Sequence, residues 1–280
     1  IFMVFLVGIL DDHKDATPRA KFYVIFLATI FLFLDDISIY SLGVFLGLEL
    51  KLWYFALPFT MFALAGFTNA LNLIDGLDGL AGTISLVILS TFLYIGYIND
   101  DNLIVTLCLF SMTSVLAFLI FNWNPARIFM GDSGSLFLGF VISVIAVISL
   151  KYIHPISVFY LTALPILDTV VVMVRRIRKR ISPFSPDKTH IHHILLGFFS
   201  KKVKTTVIFL ILLQCLFSIA GLMMANSSNK LTLGSYSFFA FVAFIFIIAL
   251  FYMVLTGMKR RQKLIEKLSN RKKRINSKQK

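Results

Sequence analysis

The chain of 280 residues is 58% hydrophobic and only 15% charged, with a net charge of +13 and a mean hydropathy of +0.87. Soluble domains carry roughly 25% charged residues, so a soluble globular protein is excluded. Runs that are apolar on every face, such as Phe238 to Phe251, also exclude the alternating strands of a membrane β-barrel, leaving an all-α, polytopic transmembrane helical bundle.

In chain order, Ile1 lies inside an apolar run that closes at Leu10, which reads as a stub span whose start lies upstream. It delivers Asp11 and Asp12 to the aqueous boundary. Further spans are expected at about 20–34, 53–70, 80–98, 103–121, 134–150, 154–174, 205–225 and 236–257. Residues 37 to 52, of mixed polarity with two glycines, read as an outer loop or a hairpin near the interface, followed by Trp53 and Tyr54 at the level of an aromatic belt. Residues 1–258 form one membrane domain. The basic tail at 259–280 is expected to be a surface-lying helix or disordered. Cys108 and Cys215 fall within apolar spans and read as packed thiols.

The charge is concentrated. Arg175 to Lys204 holds nine Lys or Arg against one Asp, and Lys259 to Lys280 holds eleven against one Glu. Such clusters beside spans mark the cytoplasmic side, and anionic lipid headgroups are their natural neighbours. Counting spans back from the Arg175–Lys204 loop puts 122–133, 69–79 and 11–19 on the same side, so every dense polar motif faces the cytoplasm. The run from Arg175 to Arg180 reads as topogenic. Neither a recognition helix nor a zinc spacing accompanies the basic tail, so nucleic acid is not an expected partner.

Four motifs carry chemistry. Asp11 and Asp12, with Lys21 nearby, are adjacent carboxylates that repel, which raises the pKa of one or recruits a cation; a helix cap with a solvated turn is the plain alternative. Asn69, Asn72 and Asp75 recur every three residues at the end of a span, roughly on one side of a helix, and Gly76 and Gly79 bracket Asp78. Gly131-Asp132-Ser133-Gly134-Ser135 opens another span. Its backbone N–H groups can face an anion, and a carboxylate beside them suits a divalent cation bridging to phosphate oxygens. The fourth motif, Pro186 to His193, holds Lys188, His190, His192 and His193. It lacks thiolates and the HExxH spacing of zinc sites, and imidazoles donating to phosphate fit it better.

Together these motifs resemble the polyprenyl-phosphate N-acetylhexosamine-1-phosphate transferases of glycosyltransferase family 4, over residues 8 to about 200. Gly8 to Asp12 with Lys21 is similar to that family's first aspartate motif, Asn69 to Leu80 to its Asn-Asn-Asp-Gly-Leu-Asp-Gly-Leu motif, Pro125 to Leu136 to its Gly-Asp-x-Gly-Ser motif, and Pro186 to His193 to its histidine loop. The form His190-Ile191-His192-His193 is closer to members that start teichoic acid, enterobacterial common antigen or O-antigen than to the branch using UDP-N-acetylmuramoyl-pentapeptide. Lys188 stands where arginine is common, and the spans expected before residue 1 would make the chain N-terminally truncated relative to the family.

The resemblance implies transfer of N-acetylhexosamine 1-phosphate, most simply GlcNAc 1-phosphate, from a UDP-sugar to undecaprenyl phosphate, with release of UMP. It implies a magnesium or manganese ion and a multi-pass location in the bacterial cytoplasmic (inner) membrane. It further implies that Asp132 and Asn72 hold the metal, that Asp11 and Asp12 serve the lipid phosphate, that Asp75 and Asp78 position the nucleotide, and that His190, His192 and His193 grip the diphosphate. Lys21, Asn69 and Lys188 complete the substrate-binding set, and a second copy of the chain is a candidate partner. Two rivals remain: a transporter of anionic solutes, and a catalytically inactive relative.

Overall fold

The computed structural model describes residues 1–14, 17–182, 190–225 and 230–278. Eleven α-helices follow one another among these residues: α1 (Phe2–Lys14), α2 (Pro18–Leu34), α3 (Ala56–Ile74), α4 (Leu80–Ile98), α5 (Asn102–Asn122), α6 (Gly131–Ser149), α7 (Pro155–Leu161), α8 (Ala163–Arg178), α9 (Ile191–Phe198), α10 (Val203–Ala225) and α11 (Lys230–Lys278). Six are long and apolar enough to cross a membrane, or seven segments if the bent pair α7–α8 is one span. The fold is a polytopic membrane bundle. Its helices follow from length: about 20 apolar residues bridge the hydrocarbon, and only a helix or a closed barrel satisfies every backbone group there.

Helix α6 is the central one. From Leu138 to Ser149 each of its residues is buried, and it packs against α1, α3, α4 and α5. Helix α5 shows the opposite extreme, with most of its surface exposed, as expected of a helix whose apolar residues face lipid on nearly all sides. The α1–α6 contact needs a glycine. A Cβ on Gly8 would lie 2.5 Å from the Cα of Ser133, so only a residue without a side chain lets the end of α1 approach the start of α6.

The segment between α2 and α3 is a hairpin. Strands β1 (Ser41–Phe45) and β2 (Leu48–Lys51) pair antiparallel, with Phe45 opposite Leu48 and Val44 opposite Glu49. The two turn residues, Leu46 and Gly47, both have positive φ, 50° and 84°, the geometry that matches strand twist in a two-residue connection. The Phe45 ring then meets His154 edge-on at 5.3 Å, docking the hairpin at the start of α7.

One expectation from sequence is corrected. The stretch at 154–174 is not one straight span: α7 and α8 meet at an angle of 86° around Thr162. Buried Gln214 of α10 holds the break. Its Oε1 accepts from the Leu164 N–H (3.0 Å), and its Nε2 donates to the Leu161 carbonyl (2.8 Å) and to Ser218 Oγ (3.2 Å), supplying partners to an N–H freed by the break and to a carbonyl that Pro165, lacking an N–H, could not pair. Through the basic tail α11 continues from the last span as one helix to Lys278.

Candidate active site

The ends of α1 and α3, the starts of α2 and α6 and the short helix α9 meet at one end of the bundle. Asp12, in the last turn of α1, accepts from the backbone N–H of Asp132 (2.8 Å) and of Ser133 (3.1 Å). It therefore caps α6 from a different helix, meeting the positive end of that helix's dipole. Burial alone would raise its pKa, but the bonds from Ser133 and the Asp132 backbone outweigh this and hold the Asp12 carboxyl below the usual carboxylate range.

Lys21, from the first turns of α2, places its Nζ against both Asp11 Oδ2 and Asp132 Oδ2. One ammonium thus bridges two carboxylates from different helices. Partial burial, and the Asp132 carboxylate beside it, raise Asp11 above its ordinary value. The other oxygen of Asp132 accepts from Asn72 Nδ2 (3.1 Å), which also donates to Ser135 Oγ (2.8 Å). The orientation of this amide is fixed by its surroundings: Ser135 Oγ donates to the Gly131 carbonyl (2.8 Å), so both neighbours of Nδ2 are acceptors. Asn72 therefore supports Asp132 through its nitrogen. Its Oδ1 is left over from these two bonds, so the expectation that Asn72 and Asp132 together hold a metal ion stays open to the amide oxygen.

Asp75 ends α3 and turns toward the same cluster. Burial, then the Asp132 charge, pushes its carboxyl up to about 6. Asn69 lies nearly two turns earlier, half-buried, and among the described residues its side chain makes no hydrogen bond to the cluster. Asp78 points elsewhere. Its Oδ2 accepts from Asn124 Nδ2 (2.8 Å) and from the Ala126 N–H (3.1 Å). Nearby, Asn122 accepts from the Gly79 N–H (2.9 Å) and donates to the Ile128 carbonyl (2.8 Å). Asp78 and Asn122 thus clamp the loop that leads into Asp132.

The histidines sit on α9. His190 Nδ1 meets Asp168 Oδ2 at 2.9 Å, and the Ile191 N–H donates to Asp168 Oδ1 at 2.7 Å. His190 and His192 stack with ring centroids 5.8 Å apart, and exposed His193 lies 4.3 Å from His192. His192 is 1% exposed, and among the described residues neither of its ring nitrogens has a hydrogen-bond partner. Burial, against the weaker pull of Asp168, lowers it to about 4, so it is neutral at physiological pH. A Cβ on Gly76 would lie 2.1 Å from His192 Nε2. This contact joins the α3 end, with Asp75, to the histidine helix. Lys188 lies outside the described residues.

Two features were missed from sequence. Asp168 is a lone carboxylate in an apolar run, and an ionisable residue within a span is a signal for a functional site. Arg175 and Arg176 belong to the run read as topogenic, yet they are only 4% and 6% exposed at the end of α8, while Arg178 lies over the Tyr252 ring of α11 at 4.9 Å. Arg175 and Arg176 thus face inward, while Arg178, Lys179 and Arg180 of the same run are exposed.

Among the described residues, no three His, Cys, Asp or Glu side chains gather as a metal cage. The donor set still suits a hard cation, because Asp11 and Asp132 converge on one positive charge, and magnesium commonly binds through one or two carboxylates with substrate phosphate completing its shell.

The sequence profile of glycosyl transferase family 4 matches residues 1–150. Over 253 residues the chain is 36% identical to a probable undecaprenyl-phosphate N-acetylglucosaminyl 1-phosphate transferase of Bacillus subtilis (strain 168), an alignment covering 88% of this chain and 68% of that protein. It is 32% identical over 208 residues to the undecaprenyl-phosphate alpha-N-acetylglucosaminyl 1-phosphate transferase of Escherichia coli (strain K12), covering 70% of this chain and 57% of the relative. The protein of the same description from Yersinia pestis is 31% identical over 212 residues, covering 71% and 58%. The chain thus spans about two thirds of the Bacillus relative's length and less than three fifths of the other two. Its apolar helices and these relatives make it a multi-pass protein of the bacterial inner membrane. With the profile matching more than half of its residues, and with the aspartate, asparagine and glycine-aspartate motifs of that half folded into one cluster, the chain belongs to glycosyl transferase family 4.

Proposed function

We propose that this protein transfers N-acetylglucosamine 1-phosphate from UDP-N-acetylglucosamine to undecaprenyl phosphate, releasing UMP and starting a lipid-linked envelope glycan at the cytoplasmic face. The observation that carries the reading is Lys21 held between Asp11 and Asp132, beside the histidine helix, at one end of a membrane bundle. The printed activities of the relatives support the choice of substrates.

The reaction joins two anions. An oxygen of the lipid phosphate forms a bond to the sugar-bearing β-phosphorus, and the bond from that phosphorus to the bridging oxygen breaks, its electrons leaving with UMP. No external proton is needed. The protein's task is therefore alignment and charge neutralisation. Lys21 supplies positive charge where the two phosphates meet, and Asp11, at the edge of the bundle, orients the lipid phosphate through it. Asp12 keeps the α6 terminus and Asp132 in place. His193 donates to the donor's phosphates, His190 presents Nε2 to the donor sugar as an acceptor, and neutral His192 offers a single N–H. Asp78 fixes the loop that carries Asp132. A magnesium or manganese ion belongs to this proposal, held by Asp132 and Asp11; when bound, it would offset the diphosphate charge.

The test is Asp132→Asn in the full-length protein, assayed by transfer of radiolabelled sugar phosphate into lipid. Transfer is expected to vanish while membrane insertion persists, because the substitution removes a formal charge at nearly constant size. Normal turnover by Asp132→Asn at limiting magnesium would refute the assignment.

A further inference from the structure

We infer that Asp168 is a positioning residue of this site: it fixes the ring of His190 and the start of α9 together, so that one ring nitrogen is committed to the protein and the other is free for the substrate. The inference rests on the transferase reading above and deepens it.

Asp168 lies on α8, in a stretch with no other acidic residue, and is 1% exposed; His190 is 5% exposed. A carboxylate buried this deeply is costly unless its oxygens are satisfied. Both are. Oδ2 meets His190 Nδ1 at 2.9 Å, and Oδ1 accepts from the Ile191 N–H at 2.7 Å. The second bond caps α9, since Ile191 is its first residue and the His190 side chain supplies no cap. A carboxylate can only accept, so Nδ1 must carry its proton toward Asp168. Nε2 then becomes the nitrogen that can reach a ligand. The arrangement follows the general logic in which a buried carboxylate sets the tautomer and orientation of a working imidazole.

The fold explains how the carboxylate comes to be there. The break at Thr162, held by Gln214, turns α8 by 86° from α7, and α8 then packs against α3, whose end carries Asn72 and Asp75. Asp168 lies on that redirected helix. Through His190 and the stacked His192, which abuts Gly76, it ties the histidine helix to the carboxylate cluster without itself reaching the substrate.

The experiment compares Asp168→Asn, His190→Ala and the double variant in the full-length protein, together with the ¹⁵N-histidine NMR spectrum of the wild type. In Asp168→Asn the new amide oxygen would still accept from the Ile191 N–H, but the NH₂ group would turn toward Nδ1, moving the imidazole proton to Nε2. The expected results are a kcat lowered roughly 10- to 100-fold with a smaller change in KM for UDP-N-acetylglucosamine, and a double variant no slower than His190→Ala, as for two residues acting as one unit. The wild-type spectrum should show an imidazole Nδ1–H resonance that disappears in Asp168→Asn, or in His190→Ala if the former does not fold. Wild-type kcat in Asp168→Asn, losses that multiply in the double variant, or absence of the Nδ1–H resonance would overturn the inference. A wild type that shows the resonance but turns over no UDP-sugar would overturn the transferase reading, and with it the role of Asp168 in transfer, while leaving the Asp168–His190 pairing intact.

Discussion

Asp12 caps α6 through the Asp132 N–H, although 120 residues separate the two in sequence. The bond ties the first aspartate motif to the glycine-aspartate motif beside the Lys21 bridge, and it holds the backbone from which the Asp132 side chain projects. Asp12→Ala is therefore expected to lower stability by about 1 kcal/mol, the usual cost of a lost N-terminal cap, and to reduce transfer as well. Asp12→Asn should recover most of the stability, because an amide oxygen can still accept from the α6 N–H groups. Thermal unfolding in detergent and a transfer assay would check both. Full activity in Asp12→Ala would mean that the cap does not position Asp132.

At Gly76 there is no room for a side chain. A methyl group would lie 2.1 Å from His192 Nε2, and because His192 is fully buried, either the ring or the end of α3 must move. Gly76→Ala is expected to lower transfer by about tenfold or more, equivalent to about 1.4 kcal/mol of barrier, and to weaken UMP binding. The change should be smaller in a Gly76→Ala/His192→Ala background, where the ring is gone. Calorimetric titration of UMP into the three proteins would show whether the two sites share this contact.

The pH dependence should come from Asp75. Burial and the Asp132 charge raise its carboxyl from 3.8 to about 6 in the folded protein, so the folded state binds a proton that the unfolded chain has already released between these values. The resulting contribution to stability is present below about pH 4 and is lost as pH rises through about 6. Asp75→Asn should match the wild type in stability at the acid end and exceed it above about pH 6. If the ionised carboxylate serves the nucleotide, wild-type kcat/KM rises through about pH 6, and Asp75→Asn lacks that limb. A limb near that pH that persists in Asp75→Asn would assign it to another group.

Gln214 holds the break between α7 and α8. Replacing it with leucine would orphan the Leu164 N–H and the Leu161 carbonyl in a buried position, at a cost of about 1–3 kcal/mol for each unsatisfied group. Gln214→Leu is expected to melt well below the wild type, while Gln214→Glu, which keeps the acceptor for Leu164, should fall in between. An unchanged melting temperature for Gln214→Leu would show that the bend is set by packing alone.

The sequence by itself determined the class of the fold and the elements of the site that depend on local chemistry. Apolar length and the absence of alternation demand membrane helices whatever they pack against, and the Asp11-Asp12, Asn72-to-Asp78, Asp132 and His190-to-His193 motifs are visible as polar groups at span boundaries, where desolvation makes them costly. Tertiary structure decided which of these groups meet. Asp12 and Asp78 look alike in sequence as acidic residues beside a span, yet one caps α6 beside Lys21 and Asp132 while the other fastens the loop at Asn124 and Ala126. Asn72 was legible as a polar group but not as a donor, because its orientation depends on Ser135, 63 residues away. The same reason hid the partnership of Asp168 with His190 and the inward turn of Arg175 and Arg176, whereas the break at Thr162 has a local signal in Pro165, with Gln214 supplying the distant part. Helical periodicity reports which face of a helix is apolar, whereas a bend or a buried charge is stabilised by hydrogen bonds from other helices, and those partners are set by packing rather than by neighbours along the chain.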